Sequence, residues 1–202
     1  MLIGLAGVTS TGKTTLTGSI KEEFGDRVKI LDKISRIEIY QHMGHSEMNP
    51  DLPACSNEQR VIFDVGRCVL QMAKEREMYE RYHDSANVKQ PAIVIDGCAI
   101  VKAAYMIFLS GQFMKPETLD AMVHEVIDHC VTYYKSIFFL PVTRMPFTAA
   151  DHRYFSSEYV RKGQDAILWR LLFREIGPRM DVNIFPTLDN NTVLDQLRKM
   201  GV

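Results

Sequence analysis

Nine residues near the start of the chain, Gly7-Val8-Thr9-Ser10-Thr11-Gly12-Lys13-Thr14-Thr15, have the types and spacing that grip phosphate. They satisfy G-x-x-x-x-G-K-[ST]. Glycines let successive backbone N–H groups turn inward as an anion-binding nest, at angles a Cβ obstructs. A helix starting at Lys13 aims its partly positive N-terminus at the same place. In such a loop the lysine reaches the β- and γ-phosphates of ATP, and the Thr14 hydroxyl completes a Mg²⁺ coordination shell. The expected nucleotide-binding residues are therefore Gly7, Thr9, Ser10, Thr11, Gly12, Lys13, Thr14 and Thr15.

Two carboxylates end apolar runs, where ligands of an open parallel sheet bind. Asp96 closes Ala92-Ile93-Val94-Ile95. It is expected to hold Mg²⁺ through water, or to accept the proton of an attacking hydroxyl, rather than merely to start a turn with Gly97. Asp32 closes Val28-Lys29-Ile30-Leu31 and reads equally as a substrate contact or as the N-cap of the next helix. A polar segment around residues 142–163 reads as a lid. From it Arg153 is the expected catalytic arginine, neutralising charge on the moving phosphoryl group, with Arg161 beside Asp32 and Arg36 on the substrate side. Other candidates fit packing or solvation better. His42 and His45 lack a third ligand, His124 and His129 do not share a helical face, and Trp169, Tyr133 and Tyr134 read as packing.

The elements that would position these groups alternate. Apolar runs at 1–6, 28–31, 91–96, 137–141 and 182–185 predict strands. Helices are predicted over 13–24, 33–42, 56–84, 99–109, 116–134, 158–176 and 192–199. In the long helix from Ser56, Val61, Val65, Cys68 and Met72 form an apolar stripe, and the charged tail from Lys74 to Asp84 is expected to project into solvent. Unalternated apolar strands between helices predict an α/β fold: a three-layer α-β-α arrangement around a mostly parallel five-stranded sheet.

The chain has 202 residues, 46% hydrophobic and 24% charged, with a formal net charge of -1. That suits one soluble domain with a sizeable core and carries no global basic field for nucleic acid. Cys55, Cys68, Cys98 and Cys130 have no C-x-x-C spacing and are expected as reduced thiols in a cytoplasmic protein. No apolar run approaches the roughly 20 residues of a membrane span.

The pattern resembles the small P-loop kinases related to ribosylnicotinamide and deoxynucleoside kinases, a set common in phage genomes. The resemblance rests on Gly7 to Thr14, on Gln59, Phe63, Gln71 and Glu75 in the long helix, on Asp96 with Tyr105, and on Phe139-Leu140-Pro141 and Asp151-His152-Arg153. It implies a P-loop kinase fold and phosphoryl transfer from ATP, with Mg²⁺, to a nucleoside-type acceptor. Two departures affect the acceptor side. Where the family often shows Asp-Arg-Ser, this chain has Asp96-Gly97-Cys98, and near the family's Glu before Ala-Arg only Arg36 matches. One branch of these kinases phosphorylates 5-hydroxymethyluracil within DNA, and altered acceptor residues fit it. Lys33, Arg36, Arg144, Arg153, Arg161 and Lys162 are the basic residues available for such a polymer. A nucleotide-gated switch or ATPase fits less well, since no switch-like glycine follows the Asp96 strand in a mobile loop. A homodimer through the long Ser56–Asp84 helix is the expected assembly, if any.

Overall fold

The computed structural model describes residues 1–43, 56–83, 90–144, 157–179 and 183–202. Strands β1 (Leu2–Ala6), β2 (Val28–Leu31), β3 (Ala92–Asp96), β4 (Tyr134–Phe139) and β5 (Asn183–Pro186) form one sheet in the order β2-β3-β1-β4-β5. Every neighbouring pair is parallel. Helices α1 (Lys13–Phe24), α2 (Arg36–His42), α3 (Asn57–Tyr82), α4 (Ala99–Ser110), α5 (Pro116–Tyr133), α6 (Glu158–Arg170) and α7 (Asn190–Lys199) cover it.

The strands read as continuous apolar runs because both faces are covered. Leu2, Ala6, Ile93, Ile95, Ile137 and Phe139 pack with α3, α4, α5 and α6. Ile3, Leu5, Val94 and Phe138 point the other way, onto Leu16, Ile20 and Phe24 of α1 and Val193, Leu194 and Leu197 of α7. The three-layer parallel arrangement is the one expected. Central β1 lies between β3 and β4, and its register sets Leu5 opposite Asp96. The carboxyl end of β1 therefore opens directly beside that carboxylate.

Several element expectations need correction. The second helix begins at Arg36, because Ser35 caps it in a reciprocal capping box with Glu38. Asp32 is thus not the N-cap. β4 starts at Tyr134, earlier than its apolar core suggested, and α6 runs on as a π-helical turn over Leu171–Ile176. The tail of α3 does not simply project into solvent. Glu75 is fully buried, and Met78, Tyr79 and Tyr82 pack against the larger core cluster. Trp169 is not core: it is 45% exposed and lies against Phe173. Cys68, Cys98 and Cys130 are buried free thiols, as expected, and burial pushes Cys68 up to about 12. Cys55 falls outside the described residues. Among those described, no helix is long and apolar enough to cross a membrane.

Candidate active site

Residues 7–12 form a tight loop between β1 and α1. Gly7 is required by space: a Cβ there would stand 2.5 Å from Thr11 Oγ1 and 2.8 Å from the Leu140 carbonyl oxygen. Further on, Ser10 (φ 60) and Gly12 (φ 83) take left-handed backbone conformations. Left-handed residues among right-handed ones turn consecutive N–H groups to one side, which is the geometry of an anion nest. For Ser10 this conformation costs of order 1–3 kcal/mol and must be held by its surroundings.

The surroundings that hold it are side chains distant in sequence. Arg161, 1% exposed, donates from Nε to the Thr9 carbonyl at 3.1 Å and from Nη2 to the Ser10 carbonyl at 3.3 Å. Arg144 donates to the Thr11 carbonyl at 3.4 Å and to the Leu188 carbonyl at 3.1 Å, and bonds Asn190. Tyr105, on α4, meets Thr9 twice, through the Thr9 backbone N–H at 2.9 Å and its hydroxyl at 2.8 Å. Inside the loop, Thr11 donates to the Val8 carbonyl at 3.0 Å. The carbonyls of Thr9, Ser10 and Thr11 are thus held by arginines.

Lys13 begins α1 and folds over the loop, donating to the carbonyls of Gly7 at 2.6 Å and Val8 at 2.7 Å. The Thr14 hydroxyl donates to Asp96 Oδ2 at 3.2 Å. This hydroxyl and carboxylate sit side by side at the strand ends, the oxygen set a hard divalent cation takes when phosphate oxygens complete its shell. Among the described residues no three His, Cys, Asp or Glu side chains gather for a metal, so any cation here would rely on oxygens that the nucleotide brings.

The loop opens into a cleft of about 640 Å³. It is lined by residues 7 and 9–15 with Asp96 and Gly97. Outside the loop the same cleft is lined by Ile34, Ile39, Phe63, Val101 and Leu109, with the charged groups Lys33, Arg60, Asp64, Arg67 and Lys102. Asp64 is 2% exposed, paired with Arg67 at 3.1 Å and accepting from Ser110 at 2.5 Å. The Arg67 guanidinium lies 4.9 Å from the Tyr105 ring centre and 5.7 Å from that of Phe63, so the aromatic pair fixes its direction.

The expected residues fare unevenly. Thr9 to Thr15, with Lys13, Thr14 and Asp96, converge on the cleft. Arg161 reaches the loop from the outside and is buried there, rather than standing in an open lid. Asp32 is exposed and does not line the cleft; Lys33, Ile34 and Ser35, just after it, do. Arg153 lies outside the described residues, as does the Arg36 side chain. The lid expected around 142–163 is described only at 142–144 and 157–163, and there Arg144 and Arg161 brace the phosphate loop. Sequence reasoning missed Asp64, Arg67 and Lys102. Lys102 carried a legible signal: it is the single charge in Ala99-Ile100-Val101-Lys102-Ala103-Ala104.

A family model described as an AAA domain matches residues 2–173, and the chain belongs to that family. No curated protein matches the sequence. Several solved structures share the fold. Deoxyadenosine kinase from M. mycoides with bound dATP is 11% identical, with a TM-score of 0.58, and each chain is covered in full. Thymidylate kinase from Candida albicans is 12% identical, with a TM-score of 0.63, covering 98% of this chain and 89% of that one. Thymidylate kinase from Ehrlichia chaffeensis is 14% identical, with a TM-score of 0.55, over 100% and 98%.

Proposed function

We propose that the protein is a phosphotransferase that moves the γ-phosphoryl group of ATP, complexed with Mg²⁺, to a hydroxyl of a nucleoside-type acceptor. The observation that carries this reading is the continuity of the cleft. The phosphate loop with Lys13, Thr14 and Asp96 lines one cleft together with apolar side chains and the buried charges Asp64 and Lys102 from outside the loop. A simple ATPase has no use for so much additional lining. Kinases of nucleosides and nucleotides among its structural neighbours favour the same acceptor class.

Lys13 and the loop N–H groups would hold the β- and γ-phosphates, and Thr14 with Asp96 would hold Mg²⁺, which draws charge off the transferring group. Asp96, which lines the same cleft, would also take the proton of the attacking hydroxyl. The fitting compartment for such chemistry is the cytoplasm, of a host cell if the gene is phage-borne.

A second reading keeps the same transfer and changes the acceptor to the hydroxymethyl group of 5-hydroxymethyluracil in DNA. The cationic side chains Arg67 and Lys102 in the cleft lining are compatible with a polyanion. Labelled ATP offered with nucleosides, nucleotides and hydroxymethylated DNA tests both: transfer to a free acceptor supports the first, transfer to polymer alone supports the second, and transfer to neither overturns both. Activity on polymer should also fall steeply with added salt as counterions are released, whereas activity on a neutral nucleoside should not.

A further inference from the structure

Lys102 puts a buried ammonium beside the root of the phosphate loop. It lies near the start of α4, is 6% exposed and lines the same cleft as Lys13, Thr14 and Asp96. Gly97, which follows Asp96, donates its backbone N–H to the Leu5 carbonyl near the end of β1 at 3.2 Å. Lys102 Nζ stands 3.3 Å from the point a Cβ on Gly97 would occupy, and Lys13 Cε stands 3.9 Å from the same point. Two lysines from different helices thus approach the bare backbone next to the carboxylate that Thr14 engages.

The fold gives no reason for this ammonium. Its neighbours Ile100, Val101, Ala103 and Ala104 are buried and apolar, and the N-terminal end of a helix disfavours a cation. Among the described residues Lys102 has no ion-pair partner and donates to no acceptor. A buried charge left this way is costly, and burial, followed by the charge of Arg67, pushes its pKa down to about 7. Such a group in a cleft marks a place where a ligand supplies what the protein omits. Its own chemistry defines that ligand: an ammonium is a positive charge with donors and no acceptor, so it takes an anionic oxygen. Which oxygen follows from its neighbours. In a phosphate loop of this kind the lysine reaches the β- and γ-phosphates, and the hydroxyl and strand-end carboxylate hold the metal that bridges them. The terminal phosphate is therefore the anion brought to the point that Lys13 and Lys102 both approach.

We propose that Lys102 is a further catalytic residue of the transfer, donating through its ammonium to a non-bridging oxygen of the γ-phosphoryl group. The transfer step rests on the kinase reading, whereas the contact itself rests on the phosphate loop alone. In that step the acceptor hydroxyl oxygen bonds to phosphorus as the bond from phosphorus to the β–γ bridging oxygen breaks. The hydroxyl proton passes to Asp96, and the electron pair of the broken bond leaves on ADP. Lys13 and Lys102 hold the oxygens that phosphorus carries across, and Lys102, fixed by burial, needs no rearrangement as charge moves.

The test separates binding from turnover. The full chain is titrated calorimetrically with MgADP and with the Mg²⁺ complex of the β,γ-imido analogue of ATP, as wild type, Lys102→Met, Lys102→Gln and Lys102→Arg. Single-turnover transfer from labelled ATP is followed on the same proteins over a range of acceptor concentrations. Lys102→Met and Lys102→Gln should bind the imido analogue roughly 10-fold more weakly, the loss of a charge-assisted contact, with MgADP affinity unchanged. Their rate at saturating acceptor should fall about 10²–10³-fold, as for removal of one fixed donor to the reacting group. Lys102→Arg should keep part of both. Removing a buried unpaired charge should leave the melting temperature equal or higher, and Lys102→Gln gives the same reading should Lys102→Met fold poorly. An equal loss of MgADP and analogue in a folded variant, undiminished binding of the analogue, or a loss confined to the acceptor KM would each overturn the inference. If the wild type transfers to no acceptor while Lys102→Met still loses the analogue selectively, the γ-phosphate contact stands and the kinase reading falls. Wild-type transfer that Lys102→Met retains in full would do the reverse.

Discussion

Arg161 Nε, on α6, donates to the carbonyl oxygen of Thr9 at 3.1 Å, tying the far end of the chain to the backbone of the phosphate loop. The same side chain reaches the Ser10 carbonyl, the one non-glycine residue with positive φ among those described. A planar guanidinium can serve two adjacent carbonyls at once, whereas a single ammonium cannot do so with the same geometry. The strain at Ser10 is therefore offset by an interaction 151 residues away in sequence, and the shape of the phosphate nest depends on α6.

Replacing Arg161 should damage nucleotide binding without touching any group that contacts phosphate directly. Arg161→Lys is expected to weaken ATP roughly 10-fold or more and to lower stability by about 1–3 kcal/mol, the cost of unsatisfied buried carbonyls. Calorimetric titration with ATP and urea denaturation measure the two effects. ATP affinity equal to wild type would show that the loop holds its shape unaided.

The pairing of Thr14 with Asp96 at 3.2 Å makes a separate forecast. Asp96→Asn keeps the side-chain volume and removes the charge that a Mg²⁺ ion or an acceptor proton needs. Transfer should fall by about 10²–10⁴-fold, the range of an acid–base contribution, with ATP affinity changed far less. Lys13→Met should abolish transfer and weaken ATP together, because it removes the cation nearest the terminal phosphates. Single-turnover transfer from labelled ATP, set beside equilibrium binding, separates the two patterns.

What the sequence made legible follows from how local each signal is. The loop between β1 and α1 is set by contiguous residues whose backbone angles and hydroxyls do the work, so Gly7 to Thr15 can be read directly. Asp96 can be read because its apolar run identifies a buried strand and its end. Helix starts with capping boxes, Ser35 with Glu38 and Ser56 with Gln59, are local as well. The rest depends on long-range contacts. Nothing near Arg161 in sequence announces that it braces Thr9, and the cleft charges Asp64 and Arg67 sit on α3, where residue type alone cannot tell a solvent face from a cleft. The burial of Glu75 within a charged tail is not legible locally, because it depends on Ala99 of α4 and His129 of α5.

Asp165 offers a pH-dependent test of stability. Its carboxylate accepts from the Val142 backbone N–H at 3.1 Å, yet burial pushes its pKa up to about 6. A carboxyl whose folded pKa is raised contributes stability that is fully present below its unfolded value and lost as pH rises through the folded one. Here that window runs from roughly pH 4 to roughly pH 6. Asp165→Asn keeps the acceptor oxygen and removes the titration. Relative to this variant, the wild type should lose about 1 kcal/mol between pH 4 and 7, a figure discounted for partial exposure. Urea midpoints at both pH values measure it, and parallel pH profiles for the two proteins would contradict it.

Glu75 carries the largest expected stability effect. Its Oε1 accepts from the Ala99 backbone N–H at 2.9 Å and from Gln71 at 2.9 Å, while Oε2 meets His129 Nε2 at 2.7 Å. A carboxylate from α3 thus caps the N-terminus of α4, whose own N-cap, Cys98, makes no side-chain cap bond. The helix it anchors carries both Lys102 and Tyr105 into the cleft. Glu75→Ala breaks a buried pair and uncaps α4, so it should cost about 3–5 kcal/mol. His129→Ala should cost less, since the carboxylate keeps the Ala99 and Gln71 donors. Denaturation of both variants decides the order. If His129→Ala proved the more damaging, the imidazole contact rather than the α4 cap would be the stronger restraint. Because α4 positions Tyr105 against Thr9, Glu75→Ala should also weaken ATP binding at temperatures where the protein is still folded, which calorimetric titration well below its melting point would measure.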